Sequence, residues 1–110
     1  DNEIGRMSEI IELSIFRIVQ ESLRNIDKHA AATEAVIRLK RISPRSLMVS
    51  IEDNGKGMHG KISLQRFLKE GHFGLVGIDE RVALLGGRLR FQNKSDGGLL
   101  IQAEIPHSRK

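Results

Sequence analysis

The chain has no cysteine, no tryptophan and no tyrosine. Without thiols there are no disulfides, no thiolate metal sites and no sulfur nucleophile, which fits a reducing compartment. Its aromatic side chains are four phenylalanines, Phe16, Phe67, Phe73 and Phe91. A domain that tracks single-stranded nucleic acid stacks bases on aromatic rings along a basic groove. Here rings are scarce and the 18 Lys and Arg residues are spread along the sequence. The net charge of +4 and pI near 9.9 therefore read as a solvated basic surface or a basic rim around a polyphosphate pocket, not as a nucleic-acid interface. No apolar run approaches the roughly 20 residues of a membrane span, so no direct membrane contact is expected. The four histidines show no metal-ligand spacing. No signal-peptide pattern is present, and a chain opening Asp1-Asn2 without Met reads as a piece of a longer protein. The 110 residues, 39% apolar, suit one soluble domain over 1–110 with a real core.

The most informative stretch is Asp53-Asn54-Gly55-Lys56-Gly57-Met58. It follows Leu47-Met48-Val49-Ser50-Ile51-Glu52, which alternates like a half-buried strand. An acid thus stands at a strand end, and two glycines let the backbone turn and approach a ligand closely. Taken alone, Asp-Asn-Gly is also ordinary turn chemistry.

Residues 8–30 read as one helix, with Ser8 at its start and Ile15, Phe16, Val19, Leu23, Ile26 and Ala30 along an inward stripe. Residues 34–42 read as a strand with Ile37 and Leu39 inward, and Ser43-Pro44-Arg45-Ser46 as a turn. Residues 54–73 are polar and poorly periodic, with a short helix at 63–69, and such a segment is usually functional or mobile. Residues 74–85 read as a second helix stopped by Gly86-Gly87. Strands at 88–93 and 99–105 are joined by Lys94-Ser95-Asp96-Gly97-Gly98, a hairpin signal. Helices interleaved with antiparallel pairs predict an α+β two-layer sandwich, helices on one sheet face.

On the first helix, Glu21, Asn25 and Lys28 share a narrow stripe flanked by His29. A carboxamide oxygen suits Mg²⁺, a carboxylate can order metal-bound water, and an ammonium can meet phosphate. A solvated helix face carries the same pattern. Gly71-His72-Phe73-Gly74-Leu75-Val76-Gly77 precedes the second helix, whose N-terminal amides can hold an anion, although a flexible hinge has the same composition.

In this order the motifs resemble the ATP-binding catalytic domain of bacterial sensor histidine kinases, within the ATPase superfamily that includes gyrase and the ninety-kilodalton heat-shock chaperone. Phe16-Arg17-Ile18-Val19-Gln20-Glu21-Ser22-Leu23-Arg24-Asn25 with Lys28-His29-Ala30 is similar to the family's asparagine box. Asp53-Asn54-Gly55-Lys56-Gly57-Met58 is similar to the first glycine box, and Gly74-Leu75-Val76-Gly77-Ile78 with Leu85-Gly86-Gly87 to the second. Gly97-Gly98 resembles the glycine pair before the last strand. The Gln20-Glu21 and Lys28-His29 pairs resemble the kinase subgroup that signals to helix-turn-helix response regulators.

The resemblance implies a Bergerat-type fold with a mixed, mostly antiparallel sheet, and ATP and Mg²⁺ as cofactors. By it, Asp53 accepts the adenine amine, and Gly55 and Gly57 let the backbone pass the base. Asn25 ligates Mg²⁺ with Glu21 beside its water shell, and Lys28 and His29 lie near the phosphates. Gly74, Leu75 and Gly77 meet the phosphates at the helix start, and residues 58–73 form a mobile lid. It implies as partners a phosphoacceptor histidine on a dimerising hairpin of the same parent and a response regulator. The parent would be a homodimeric, cytoplasmic or membrane-anchored sensor. None of His29, His59, His72 or His107 sits in the His-Asp context of a phosphoacceptor, so this chain is expected to bind ATP without an acceptor of its own. Two positions depart from the family pattern: Asp79 replaces a basic residue, and Leu99 follows the last glycine pair where Thr is common. A serine kinase of the anti-sigma-factor type, another ATPase of the superfamily, and a nucleotide-sensing module without phosphotransfer are the competing readings.

Overall fold

Ser8 opens the first helix, accepting a hydrogen bond from the Ile11 amide at 3.3 Å, with Glu9 and Glu12 favourably placed at the positive helix end. The computed structural model describes residues 8–27, 32–57, 62–95 and 97–107, except the Leu64 side chain. Helix α1 spans Glu9–Asn25, with Ile26 as its cap. The expected continuation over 28–30, which carries Lys28 and His29, lies outside the described residues. The buried face of α1 is centred on Ile18, with Ser14, Ser22 and Ile26 buried alongside and Ile11, Ile15 and Val19 half-buried. Phe16, expected on that stripe, is 61% exposed, and Leu23 is exposed too. Ser14 and Ser22 take the buried positions on either side of Ile18 instead. Ser22 satisfies its hydroxyl by donating to the Ile18 carbonyl at 2.7 Å. Apolar periodicity weights Phe over Ser and so rotated the expected face.

Among the described residues four strands form one sheet, β1 (Ala35–Ser43), β2 (Ser46–Asp53), β3 (Arg88–Asn93) and β4 (Leu99–Pro106), in the order β1-β2-β4-β3. Every described pair is antiparallel. Strict alternation on β2 and β4 sends Leu47, Val49, Ile51 and Asp53, and Leu99, Ile101, Ala103 and Ile105, to one buried face. Val49 pairs with Ala103 and Ile51 with Ile101, so the register stacks apolar side chains into the core under the helices. β1 is an edge strand. Leu39 packs on the core as expected, but Ile37, expected inward, is 44% exposed because β1 lies at the rim of the covered face.

Helix α2 (Leu64–Glu70) starts at Ser63, whose hydroxyl accepts from the Arg66 amide at 3.2 Å, and ends at Gly71 in the left-handed region, φ 81°. It is anchored by Phe67, fully buried and edge-on to Phe91 at 4.8 Å between centroids. Helix α3 (Phe73–Leu84) buries Leu75, Ile78 and Val82 and packs on α1, β3 and β4. After Gly86 turns the chain at φ 79°, Gly87 meets β4. A Cβ there would overlap the Glu104 carbonyl and lie 3.0 Å from Val82 Cγ1. Gly87→Ala is therefore expected to lower unfolding stability by about 1–3 kcal/mol. Urea denaturation checks this, and an unchanged midpoint would show that helix and strand are not held so close.

Candidate functional site

The end of β2 buries Asp53, which is 3% exposed. A buried carboxylate needs donors, and among the described residues the Gly55 amide supplies one, 2.7 Å from Oδ1. The loop beyond it is clamped from two sides. Asn54 Oδ1 accepts from the Thr33 and Glu34 amides at 2.9 and 3.0 Å, and its Nδ2 donates to Thr33 Oγ1 at 2.8 Å. Lys94 Nζ donates to the Asp53 carbonyl at 3.4 Å and lies 3.8 Å from Glu52 Oε2. Gly98 rests against the Asp53 backbone at φ 97°, where any Cβ would collide with the Asp53 carbonyl. Gly57, at φ 66°, faces Gly98, and a Cβ on it would lie 2.9 Å from the Gly98 carbonyl oxygen. The glycine loop and the β3–β4 hairpin are thus packed backbone against backbone around Asp53.

The second cluster lies where α1 meets α3. Glu21, Asn25, Gly71, His72, Phe73 and Gly74 surround a cavity of about 60 Å³. The Glu21 carboxylate lies at the first turn of α3, where the helix dipole favours an anion, and is paired with Arg24 at 3.0 Å. A Cβ on Gly74 would sit 2.7 Å from Glu21 Oε2, so a larger residue there would displace that carboxylate. Asn25 Oδ1 lies 3.2 Å from His72 Nδ1. Leu75 is fully buried, so its side chain serves the core. Gly77 faces open space, with no atom within 4 Å of a Cβ placed there. Of the residues expected in the site, Glu21, Asn25 and Gly74 come together here. Asp53, Gly55 and Gly57 form the first cluster.

The family of histidine kinase-, DNA gyrase B- and HSP90-like ATPases matches residues 10–109. The chain belongs to this family. Its ATPase domain is 41% identical over 101 residues to the histidine-protein kinase/phosphatase DegS of Brevibacillus brevis, covering 92% of this chain and 25% of DegS. It is 35% identical over 94 residues to the sensor histidine kinase ComP of Bacillus subtilis, covering 86% of this chain and 12% of ComP. The chain therefore spans a quarter or less of these relatives. Among solved structures, the ATP-binding domain of PrrB from Mycobacterium tuberculosis aligns with a TM-score of 0.68 at 23% identity, over 86% of this chain and 68% of that one. The blue-light activated histidine kinase of Erythrobacter litoralis aligns with a TM-score of 0.65 at 27% identity, over 81% of this chain and 30% of that one. The resemblance to a sensor histidine kinase ATP-binding domain and the α+β sandwich with helices on one face are both borne out.

The donor set of the ATPase domain fits a magnesium ion carried by a nucleotide. Among the described residues, no group of three or more His, Asp or Glu could cage a metal. Mg²⁺ needs no such cage, since one or two protein oxygens suffice when phosphates and water fill the other positions. Asn25 offers a hard carboxamide oxygen, with the Glu21 carboxylate in the same cavity. Leu99 is buried, so position 99 brings no hydroxyl to Asp53. Asp79 instead lines a separate cavity of about 230 Å³ with Phe67, Leu89 and Phe91.

Three residues at the site were not singled out as site residues from the sequence: Asn54, Lys94 and His72. Their hydrogen bonds reach 20 or more residues away, to Thr33 and Glu34, to Asp53 and to Asn25, and no local pattern reports such a span. Asn54→Ala should loosen the loop after α1, costing about 1 kcal/mol for hydrogen bonds made at an exposed surface. Faster amide exchange at Thr33 and Glu34 would verify this, and unaltered exchange would remove Asn54 from its bridging role.

Proposed function

We propose that the chain binds Mg-ATP and donates the γ-phosphate to a histidine on a separate dimerisation hairpin, as the catalytic domain of a two-component sensor kinase. One observation carries the reading. A buried carboxylate with spare acceptor capacity, Asp53, ends β2, while a carboxamide and a carboxylate on α1 face the first turn of α3. The first suits the adenine amine, a donor edge that a pure acceptor reads. The second suits a metal-bound polyphosphate at a helix N-terminus. Bound Mg²⁺ would neutralise phosphate charge in the transition state. Asn25 would hold the ion, Glu21 would order water next to it, and Gly74 and Gly77 would admit the phosphates to the α3 backbone. Lys28 and His29 would extend the phosphate contacts, and residues 58–73 would cover the nucleotide. The acceptor imidazole nitrogen attacks the γ-phosphorus in line, the bond to the bridging oxygen breaks, and ADP leaves. That step is largely positioning, which a chain without its own acceptor cannot complete. The partners are then the hairpin, in a homodimeric parent, and a response regulator, in the cytoplasm. Among the described residues no helix is long and apolar enough to cross a membrane.

The test is incubation with ATP labelled on the γ-phosphate, with and without a separately made hairpin from the parent. Acid-labile label should reach the hairpin only. Stable acid-labile label on this chain, or label on a partner serine, would overturn the assignment. Asp53→Asn should weaken nucleotide binding by about 1–3 kcal/mol, because its amide can set a donor against a donor. Asn25→Ala should abolish the magnesium dependence of binding measured by calorimetry.

Gly77→Ala separates fold from function. It lies inside α3 with room for a methyl group, so the change should stabilise the free protein by about 0.5–1 kcal/mol. If phosphates lie against this turn, the same methyl should weaken ATP binding. Thermal melting and calorimetry read the two effects, and tighter or equal binding would clear the turn of any phosphate contact.

A further inference from the structure

Asn25 already has a partner. His72 Nδ1 is 3.2 Å from its Oδ1, and because a carbonyl oxygen only accepts, that ring nitrogen carries the proton and donates. His72 is well placed to hold on. Its ring is 11% exposed, stands 65° to the Phe67 ring at 5.8 Å, and turns Nε2 toward Glu70 Oε1 at 3.5 Å. Its backbone amide donates to the Phe67 carbonyl at 2.7 Å. It is the N-cap residue of α3, yet its side chain does not cap α3 and reaches across to α1 instead. The ring therefore joins three elements: α2 through its edge-on packing on Phe67, α3 through the chain, and α1 through Asn25; Nε2 meets Glu70 as a donor only when the ring carries both protons. The cavity beside it is about 60 Å³, well below the roughly 300 Å³ at which ligand pockets begin. The 71–74 segment lies against α1 around this cavity, and this bond ties it there.

We propose that His72 is a positioning residue that catches Asn25 and holds the α2–α3 segment shut until a metal-bound nucleotide claims the same carboxamide oxygen. Lid release and metal coordination are then one exchange at Oδ1. The proposal rests on the reading of Asn25 as the magnesium ligand. The apparent affinity for Mg-ATP is lowered by the fraction of molecules held shut.

The nucleotide-free chain tests the catch first. Amide exchange over 64–72 is compared in wild type, His72→Leu, Asn25→Ala and the double variant. Each single change should speed exchange about fivefold, the worth of one net hydrogen bond, and the double should add nothing further. His72→Asn puts an amide N–H near the place of Nδ1 and should keep wild-type exchange, which guards against mere misfolding. The second readout is the magnesium concentration that half-saturates binding of a non-hydrolysable ATP analogue. It should fall about fivefold in His72→Leu by the same hydrogen-bond scale. Additive effects of the two single changes, wild-type exchange in His72→Leu, or a raised magnesium midpoint would overturn the catch; the last would make His72 a support for the metal ligand. If wild type binds no nucleotide, the ATP reading fails, while the exchange cycle still decides whether 25 and 72 are coupled.

Discussion

The close approach of α1 to the start of α3 is the constraint on which the rest of the site depends. Gly74 on α3 leaves room for the Glu21 carboxylate to meet the α3 first turn, while Ser14 and Ser22 lie on the buried face of α1. A larger residue at 74 would displace the Glu21 carboxylate from that turn. Packing density at this contact leaves little slack, so a change of one methyl group is felt. The chemistry of Glu21 and Asn25 is thus inseparable from the helix packing.

The other half of the site rests on backbone contact. Gly57 and Gly98 face each other beside Asp53, and Lys94 reaches from the β3–β4 hairpin to the Asp53 carbonyl. The sheet register prepares this, since β2 ends at Asp53 while β4 begins at Leu99, immediately after Gly98. Asn54 ties Thr33 and Glu34, just ahead of β1, to the same loop. Rigid support of this kind would hold a single carboxylate in place to select a ligand edge, as the proposed reading of Asp53 requires.

Much of this was legible in the sequence, and the failures have a common cause. The sequence pattern of residues 47–52 and 99–105 announced two strands, and the structure buries Leu47, Val49, Ile51 and the alternate residues of β4. Gly86-Gly87 marked the end of α3, and Ser63 the start of α2. Phe16 and Leu23 misled because apolar spacing weights them over serine, whereas Ser14 and Ser22 take the buried positions on α1. Ile37 misled because alternation does not tell an edge strand from a central one. The pairing of His72 with Asn25 spans 47 positions and follows only from the fold, although both residues stood in motifs that the sequence exposed.

The central claim is that Asp53 reads adenine. Titration calorimetry with paired non-hydrolysable ATP and GTP analogues in magnesium tests it most directly. Adenine presents an amine donor where guanine presents a carbonyl acceptor, and a carboxylate can pair only with the first. The account predicts binding of the ATP analogue and about tenfold or greater loss with the GTP analogue, the cost of setting a buried acceptor against an acceptor. Equal affinity for the two, or no binding of either, would contradict it.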